Sequence, residues 1–591
     1  MTETAQAQGR IDFILSLREP RNVSLGSQLE KFAQERPQHP AILYENRVIS
    51  YSEFNALANR YANYFAEVGL IKGDVVALMM TNRPEYLIAT AGLSKLGVII
   101  SLINPELRGD VLAHGINLSE ARALIIGHEL LDLFLTIREE VRLKSPARIF
   151  VEGPGPDLNL PANMHHLNML LNQVVGENPT STGEVSCKDI LLYMFTSGTR
   201  GWRKAVPVLH QRWLTMGQQY ALYGGMNEDS VQYMCLPLYL QAGFNVCFSG
   251  MLATGCTMLL KPDFSVHEFW SEVRRHRTDV FMGVGEMCRY LHDLEPQADD
   301  REHPLKVVIT NGMLPDLAEP FRQRFGLQHV IEVYGTTENV GSFINQDEFP
   351  SMFGSLTINS VRQGEVARYD EQAGVFLRDQ NGYLIKCQPG ETGVLLGQIN
   401  DFNPFLGYVN DPDATESVEI HSAFQEGDLY LDTRDLVRLH YNEHLSFLYR
   451  LGDSYRWKGK TVSSSAVEDV ILRFFSGIDD VAVFGVEVPA YEGRCGMAVL
   501  KQIDDEEIDL KGLAGHINRR MPPHARPVFL RIIKTLENGQ DLQQLKKQLE
   551  DEEFNRSKIS DPMYYYDLEA SAYLPLTAEK YWAIMNRNIK I

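Results

Sequence analysis

The sequence predicts an α/β protein, with a large amino-terminal region of several subdomains built on mainly parallel sheets and a small α+β unit at the carboxyl terminus. Short apolar runs alternate with amphipathic helical patterns up to about Gly390, an order typical of parallel sheets covered by helices. After Gly390 the pattern changes to strand alternation broken by turns, and from Leu451 a smaller unit begins. A chain of 591 residues is expected to divide into several such units.

The segment from Ser50 to Leu70 predicts the clearest helix of the amino-terminal region. Its apolar side chains recur at helical spacing, Ser50 and Glu53 match a capping box, and Gly69 supplies a stop. Short apolar runs typical of buried strands follow along the chain. They read DVVALMM, ARALIIG, ILLYMF, TMLLK, DVFMGV, LKVVIT and HVIEVYG.

The carboxyl-terminal unit has its own strand and helix patterns. A helix is predicted at AVEDVILRFF, followed by strands around VAVFGVEV and GMAVLKQI and a second helix from about Leu510. The segment PPHARP, Pro522–Pro527, predicts a rigid connector. No internal repeat and no low-complexity tract is present in the sequence.

Composition excludes some classes of function. The net charge of −21 argues against nonspecific binding to nucleic acid or anionic lipid. Seven scattered cysteines predict buried thiols in a reducing compartment. The amino terminus lacks the apolar core of a signal peptide. The most apolar stretch, Tyr86–Asn104, is interrupted by Lys95, which favours a core helix running into a buried strand over a membrane span. We therefore expect a cytoplasmic protein.

The string FTSGTRGWRK, Phe195–Lys204, follows the predicted strand ILLYM. Small residues let a backbone turn sharply and direct several N–H groups at one anion, and hydroxyls and a lysine add further donors. The pattern therefore predicts a phosphate-binding loop. A surface turn with chance polar content is the alternative.

Several further motifs occur in the order of one known family. The loop resembles the TSGTTGxPK signature of AMP-forming adenylating enzymes, and VYGTTEN, Val333–Asn339, resembles that family's YGxTE. Tyr449–Ile471 and Val483–Leu500 are similar to blocks that mark one branch, and so is the tail from Ala525. From about residue 25 onward the chain is identified as a member of the acyl-CoA synthetase superfamily, on the branch of very-long-chain acyl-CoA synthetases or fatty acid transport proteins.

The resemblance implies an adenylate-forming domain over residues 1–449, which would hold the nucleotide and acyl sites, and a lid domain over 450–591. It implies ATP, AMP, Mg²⁺ and coenzyme A as cofactors and a fatty acid or other acyl carboxylate as substrate. Two half-reactions are implied: the carboxylate attacks the α-phosphate of ATP, and coenzyme A thiolate then attacks the acyl-adenylate. No nucleic-acid partner is expected. Peripheral membrane contact is implied only because relatives handle lipids.

Roles are carried over where this sequence matches a family motif. Thr337 would touch the α-phosphate, Glu338 would hold Mg²⁺ and Lys458, followed by Gly459, would enter the site for thioester formation. Leu240 stands beside the implied acyl channel. The residues implied in nucleotide binding are Thr196, Ser197, Gly198, Thr199, Gly201, Lys204, Asn311, Gly312, Tyr334 (packing on adenine), Asp435 and Arg450 (both on the ribose hydroxyls).

The departures from the family pattern fall on the chemistry. They are Arg200 for threonine, Arg203 for proline, Leu240 for histidine, Arg434 for the glycine of TGD, Tyr449 for the hinge aspartate, Ala466 for glutamate and Gln543 for the catalytic lysine. The last matters most, because glutamine brings no charge to two anionic reactants. Loss of one preorganised donor typically lowers a rate by about 10²–10³. Lys546 and Lys547 lie nearby, but Lys546 already matches a second family lysine.

Three hypotheses follow. The protein is a fatty acyl-CoA synthetase with impaired adenylation, a nucleotide- or acyl-binding homologue that acts as a partner or regulator in lipid metabolism, or a thioester-forming enzyme that uses preformed acyl-adenylate. Whether it is an active ligase is left open by the sequence.

Overall fold

The structure is a computed structural model that describes residues 3–144, 148–153, 160–196, 204–313, 317–338, 340–358, 361–370, 373–451, 454–474, 477–489, 491, 493–503, 506–534 and 549–591. The described residues form two compact units. The first comprises 3–105, 115–196 and 205–449, and the second comprises 106–114, 204 and the described residues from 450 to 591.

The helices and strands are numbered in chain order. The helices are α1 (Glu3–Ser16), α2 (Leu25–Glu35), α3 (Tyr51–Glu67), α4 (Pro84–Lys95), α5 (Gly109–Leu118), α6 (Leu131–Leu135), α7 (Leu167–Leu171), α8 (His210–Tyr223), α9 (Ser249–Thr254), α10 (Phe269–His276), α11 (Gly285–His292), α12 (Ala318–Phe325), α13 (Pro412–Glu416), α14 (Ser464–Leu472), α15 (Leu510–Arg520) and α16 (Ala578–Met585). The strands are β1 (Pro40–Tyr44), β2 (Arg47–Ser50), β3 (Val75–Met79), β4 (Ile99–Leu102), β5 (Ala123–Gly127), β6 (Ile149–Glu152), β7 (Met164–His166), β8 (Ile190–Phe195), β9 (Ala205–Leu209), β10 (Val231–Met234), β11 (Thr257–Leu260), β12 (Val280–Val284), β13 (Val307–Asn311), β14 (His329–Tyr334), β15 (Phe343–Ile344), β16 (Gly354–Ser355), β17 (Thr357–Ile358), β18 (Val361–Arg362), β19 (Gly364–Ala367), β20 (Tyr369–Asp370), β21 (Val375–Phe376), β22 (Thr392–Gln398), β23 (Glu419–His421), β24 (Leu429–Leu439), β25 (His444–Arg450), β26 (Ser454–Trp457), β27 (Lys460–Ser463), β28 (Ile478–Glu487), β29 (Arg494–Gln502), β30 (Phe529–Ile533), β31 (Met563–Asp567) and β32 (Ala572–Pro575).

Two large sheets carry the parallel strands that the sequence predicts. One sheet has the order β15-β14-β13-β12-β10-β11-β1-β2, and the other has the order β7-β6-β5-β3-β4-β8-β9. In both, the inner pairs are parallel and antiparallel pairing is confined to edge strands. The α/β prediction is therefore confirmed. Every strand run quoted above forms a strand at its predicted place.

Local signals in the sequence account for several element boundaries. The Ser50 side chain accepts the Glu53 N–H at the start of α3, and Gly69 turns the chain after its end with φ +83°. The apolar stretch from Tyr86 divides into the buried helix α4 and the buried strand β4, as predicted. Among the described residues no helix combines the length and apolar character that crossing a bilayer requires. All seven cysteines are buried, as the sequence also predicts.

A third sheet, β16-β25-β24-β22-β19 with β23 beside β24, is antiparallel and follows the change of pattern near Gly390. Its strand β24 carries a bulge. Val394 pairs with Leu436 and Leu396 pairs with Asp432, so three residues of β24, Thr433–Asp435, lie opposite the single residue Leu395 of β22. Arg434 lies inside this bulge with φ +59°, in the left-handed region that favours glycine. The glycine of the family pattern therefore suits this backbone conformation, whereas arginine adopts the same conformation with steric strain.

The second unit is built around the sheet β28-β29-β30-β31-β32. Helices α14 and α15 occupy the places that the sequence predicts, although α14 begins at Ser464, two residues earlier than expected. A separate hairpin joins β26 to β27 through Lys458 and Gly459, which have φ values of +49° and +75°. Positive φ at both residues of a two-residue loop is the geometry of a type I′ turn.

Comparison of two substitutions at Arg434 tests the strain in the bulge. Arg434→Gly and Arg434→Ala remove the same side chain, but alanine retains the steric penalty of positive φ. We expect the glycine variant to have the higher free energy of unfolding, by about 1 kcal/mol, measured by urea denaturation.

The matched control is Arg438, which is exposed on the regular part of the same strand. There the order reverses, because glycine in an extended strand is less stable than alanine by roughly 0.5–1 kcal/mol. Equal stability of the two Arg434 variants would contradict the strain.

Candidate functional site

The candidate site lies at the carboxyl ends of two neighbouring parallel strands. Asn311 ends β13 and Tyr334 ends β14, and the two strands pair in register along their length. The carboxyl ends of parallel strands form the edge of a sheet where α/β proteins place their ligands. The segment Gly335–Glu338 continues directly from β14, so the sequence motif and the strand edge coincide.

The turn after β13 is held by the neighbouring strand. The Asn311 side-chain amide donates to the Val333 carbonyl at 2.7 Å. The carboxylate of Glu332 accepts the backbone N–H of Gly312, and it also accepts that of Met313 at 3.4 Å. Gly312 has φ +77°. Sequence reasoning identified Asn311 and Gly312 but missed Glu332. The available signal was an acidic residue two positions before Tyr334 in an apolar strand, where alternate side chains share a face.

The same turn requires a second glycine. Gly285 begins α11, and a Cβ built there would lie 2.0 Å from the carbonyl oxygen of Gly312. No side chain can be accommodated at that separation, so the backbone of the turn can approach α11 only because residue 285 is glycine. No local pattern in the sequence indicates this contact.

Tyr334 links the strand edge to the bulge of β24. Its ring packs against Phe353 at 4.7 Å and Phe343 at 5.7 Å between centroids. Its hydroxyl donates to Oδ2 of Asp435, 101 residues further along the chain. Asp435 is only 1% exposed, and a buried carboxylate needs such donors. The structure therefore brings together two residues that the resemblance assigns to adenine and ribose.

The bulge positions Asp435 through backbone contacts. Its N–H donates to the Thr433 hydroxyl at 3.1 Å, and that hydroxyl donates to the Leu395 carbonyl of β22 at 2.7 Å. The Arg434 N–H donates to the Asp432 carboxylate at 2.8 Å. Bulges commonly redirect a side chain toward a site, and here the redirected side chain is the Asp435 carboxylate.

Glu338 is half-buried, and its Oε1 accepts a hydrogen bond from the Tyr408 hydroxyl at 2.7 Å. Thr337 beside it is also half-buried. No group of three or more histidine, cysteine or carboxylate side chains suited to a metal occurs in the described part of the chain. A single carboxylate fits Mg²⁺, which commonly takes one or two protein carboxylates together with substrate phosphates and water. No motif in the sequence indicated a role for Tyr408 in this site.

A buried arginine fixes the chain that follows Glu338. Arg212 on α8 is 2% exposed, and its guanidinium donates to Ser342 Oγ at 2.9 Å and Asn403 Oδ1 at 3.0 Å. Burial lowers the pKa of Arg212 to about 10. Because these two acceptors are neutral oxygens, the group acts as a multiple hydrogen-bond donor that holds two loops to the helix.

Leu240 is 39% exposed and lies two residues before the start of a π-helical segment, Ala242–Phe248. Such segments are rare and often occur at functional sites. The neighbouring Gln241 amide would lie 3.5 Å from a Cβ placed on Gly335, so this segment runs beside the turn after Tyr334. Its role as an acyl channel stays a prediction.

The remaining predicted residues divide into two groups. Thr196 belongs to the described group and is buried at the carboxyl end of β8. The residues that lie outside the described part of the chain are Ser197, Gly198, Thr199, Arg200, Gly201, Arg203, Gln543, Lys546 and Lys547. Lys204, Arg450 and Lys458 are described with the second unit. In the turn between β26 and β27, the Lys458 ammonium donates to the Ile591 carbonyl at 2.8 Å and lies over the rings of Trp457 and Tyr491.

Comparison with known proteins identifies relatives along nearly the whole chain. Residues 29–398 match the family described as AMP-binding enzyme. The chain is 32% identical to rat long-chain fatty acid transport protein 2 over 570 residues, covering 95% of this chain and 90% of the relative. It is also 32% identical to a medium/long-chain fatty acid–CoA ligase of Mycobacterium tuberculosis, covering 94% and 90%. The solved o-succinylbenzoate CoA synthetase of Bacillus subtilis, bound to a product analogue, shares the fold with a TM-score of 0.71 at 20% identity, over 88% of this chain and 97% of that one.

Substitution of Glu332 tests its role in holding the turn after β13. Glu332→Ala leaves the N–H groups of Gly312 and Met313 without their carboxylate acceptor. We expect the free energy of unfolding to fall by about 1–3 kcal/mol, measured by chemical denaturation.

Glu332→Gln retains one acceptor oxygen and should lose less. As a surface control, Glu319→Ala removes an exposed carboxylate that pairs with Arg322 and should leave stability unchanged. If Glu332→Ala were as stable as the natural protein, these hydrogen bonds would not hold the turn.

Proposed function

This chain belongs to the AMP-binding enzyme family, on its long-chain fatty acid transport protein branch, and we propose that it is a fatty acyl-CoA synthetase-like protein with impaired adenylation. The overall reaction converts a fatty acid, ATP and coenzyme A into acyl-CoA, AMP and pyrophosphate. In this proposal, residues 1–449 bind the nucleotide and acyl group, and residues 450–591 act as the lid. The first of these regions contains the described strand edge and bulge.

The observation that carries the nucleotide-binding part of the proposal is the meeting of Tyr334 and Asp435 at the carboxyl ends of parallel strands. At such an edge an aromatic ring can stack on the adenine base of an adenosine, and a carboxylate can accept hydrogen bonds from its vicinal ribose hydroxyls. Asn311, Gly312 and Thr337 lie on segments that end at the same edge or continue from it.

In the first half-reaction a carboxylate oxygen forms a bond to the α-phosphorus, and the bond from that phosphorus to pyrophosphate breaks. Both reactants are anions, so the barrier depends on charge neutralisation and alignment. Glu338 would hold Mg²⁺, which would supply neutralisation of phosphate charge. Thr337 contributes a hydroxyl donor near the α-phosphate, and Lys204 contributes a cation to the phosphate loop. Gln543 contributes only a neutral donor where relatives of this family carry lysine.

The second half-reaction does not need that lysine to the same extent. The coenzyme A thiolate attacks the acyl carbon and AMP leaves as the C–O bond breaks, with Lys458 and Gly459 entering the site. A protein that binds nucleotide but adenylates slowly would still complete this step from preformed acyl-adenylate. The substitution at Gln543 thus favours two further candidates, a thioester-forming enzyme and a binding homologue that acts as a partner or regulator in lipid metabolism.

Exchange of ³²P-labelled pyrophosphate into ATP, dependent on a long-chain fatty acid, tests the proposal. The natural protein is expected to exchange slowly, and Gln543→Lys should raise the rate by about 10²–10³ because it restores a cation between two anions. The matched control is Gln544→Lys, which adds the same charge one residue away and should leave the rate low.

The outcomes separate the candidates. Fast exchange in the natural protein that is abolished by Lys546→Ala would show that another lysine takes the role, and it would overturn the claim of impaired adenylation. Slow exchange combined with thioester formation from synthetic acyl-adenylate and coenzyme A would support the thioester-forming enzyme. Nucleotide binding without either activity would support the binding homologue.

A further inference from the structure

We propose that Tyr408 is a positioning residue for Mg²⁺–ATP, because its hydroxyl orients the Glu338 carboxylate toward the metal. This inference rests on the proposed function, since it assigns Glu338 to the metal. Tyr408 belongs neither to the phosphate loop nor to the segment after β14, so the inference adds a new residue to the site. Tyr408 lies 70 residues beyond Glu338 in the chain.

The hydrogen bond constrains the carboxylate itself. The Tyr408 hydroxyl donates to Oε1 of Glu338 at 2.7 Å, a normal length for a hydrogen bond to a charged oxygen. A carboxylate with one oxygen engaged has its plane and rotamer restricted, which sets the direction of the other oxygen. Partners that orient a metal ligand in this way typically contribute 10–100-fold in metal affinity.

The ring of Tyr408 occupies a small apolar cluster that joins three site-bearing segments. Val206 belongs to β9, Val340 follows the segment that carries Glu338, and Leu431 belongs to β24, the strand of Asp435. The fourth partner is Phe405, whose ring meets that of Tyr408 edge-on at 5.5 Å between centroids. Packing of the ring therefore fixes the hydroxyl relative to all three segments.

The backbone around Tyr408 is held as firmly as its ring. Its N–H donates to the Thr415 hydroxyl at 2.9 Å, and the Val409 N–H donates to the Ala205 carbonyl at the start of β9 at 2.9 Å. Asp411 caps the short helix α13 by accepting the Ala414 N–H at 3.0 Å. Since Ala205 directly follows the predicted phosphate loop in sequence, the loop containing Tyr408 is tied to the strand that leaves it.

Ring and hydroxyl have separable roles. Phenylalanine at position 408 would retain the apolar cluster and both backbone hydrogen bonds, because neither depends on the hydroxyl. It would remove the donor to Glu338. Tyr408→Phe therefore tests the positioning role while it leaves the packing in place.

The experiment measures binding of α,β-methylene-ATP by calorimetry over a range of Mg²⁺ concentrations, so that no turnover occurs. For Tyr408→Phe we expect the Mg²⁺ dependence to shift to about 10-fold higher concentration, because the carboxylate loses its fixed orientation. The affinity for AMP without metal should change by less than about 2-fold, which corresponds to less than about 0.5 kcal/mol of binding free energy. A purely structural role would weaken both ligands together.

Three further variants complete the test. Tyr441→Phe removes a hydroxyl from a side chain that is 89% exposed and should leave both affinities unchanged. Glu338→Gln should abolish most of the Mg²⁺ dependence, and the double variant Glu338→Gln/Tyr408→Phe should lose nothing more, as expected for two residues acting through one interaction.

The proposal is overturned if Tyr408→Phe binds Mg²⁺ and nucleotide as the natural protein does, or if it weakens AMP and the metal complex equally. It is also overturned if the two single losses add in the double variant. Failure of the natural protein to bind either AMP or α,β-methylene-ATP would instead reject the proposed function, and the metal role of Glu338 with it.

Discussion

Asp435 is a carboxylate placed where almost no solvent reaches it, and much of the candidate site is arranged around that constraint. A buried charge is tolerated only when donors compensate for lost hydration. The Tyr334 hydroxyl is one such donor, and it also fixes the end of β14 relative to the bulge of β24. Two segments far apart in sequence are thereby held together by one charge-assisted hydrogen bond.

The same principle recurs around the site with different partners. Glu332 is satisfied by backbone N–H groups of the turn after β13, and Glu338 is satisfied by the hydroxyl of Tyr408. Arg212 is the complementary case, a buried cation that donates hydrogen bonds to the neutral oxygens of Ser342 and Asn403. In each case a polar group that is costly to bury is used to fix a loop whose sequence alone specifies no conformation.

Two departures from the family pattern, Arg434 and Gln543, differ in kind. Arg434 occupies a left-handed backbone conformation that suits glycine, yet the bulge and its hydrogen bonds are present. The side chains of Asp432 and Thr433 hold the bulge, because they accept the N–H groups of Arg434 and Asp435. Gln543 is a departure of another kind, because under the proposed function it would remove a charge from the adenylation step. The proposed function therefore separates nucleotide binding, which the strand edge and the bulge would support, from the rate of adenylation, which Gln543 would lower.

Sequence by itself determined the α/β class, the strand runs, helix α3 with its Ser50 cap, the buried nature of the Tyr86 stretch and the family, because these depend on local patterns of apolar residues and on contiguous motifs. It also identified Tyr334, Glu338 and Asp435, which lie within such motifs. It did not identify Glu332, Gly285, Tyr408 or Arg212, whose partners lie 19 to 191 residues away in the chain. Only the tertiary structure decided these contacts, because hydrogen bonds between distant segments depend on how sheets and loops pack, and no local pattern of residues encodes that packing.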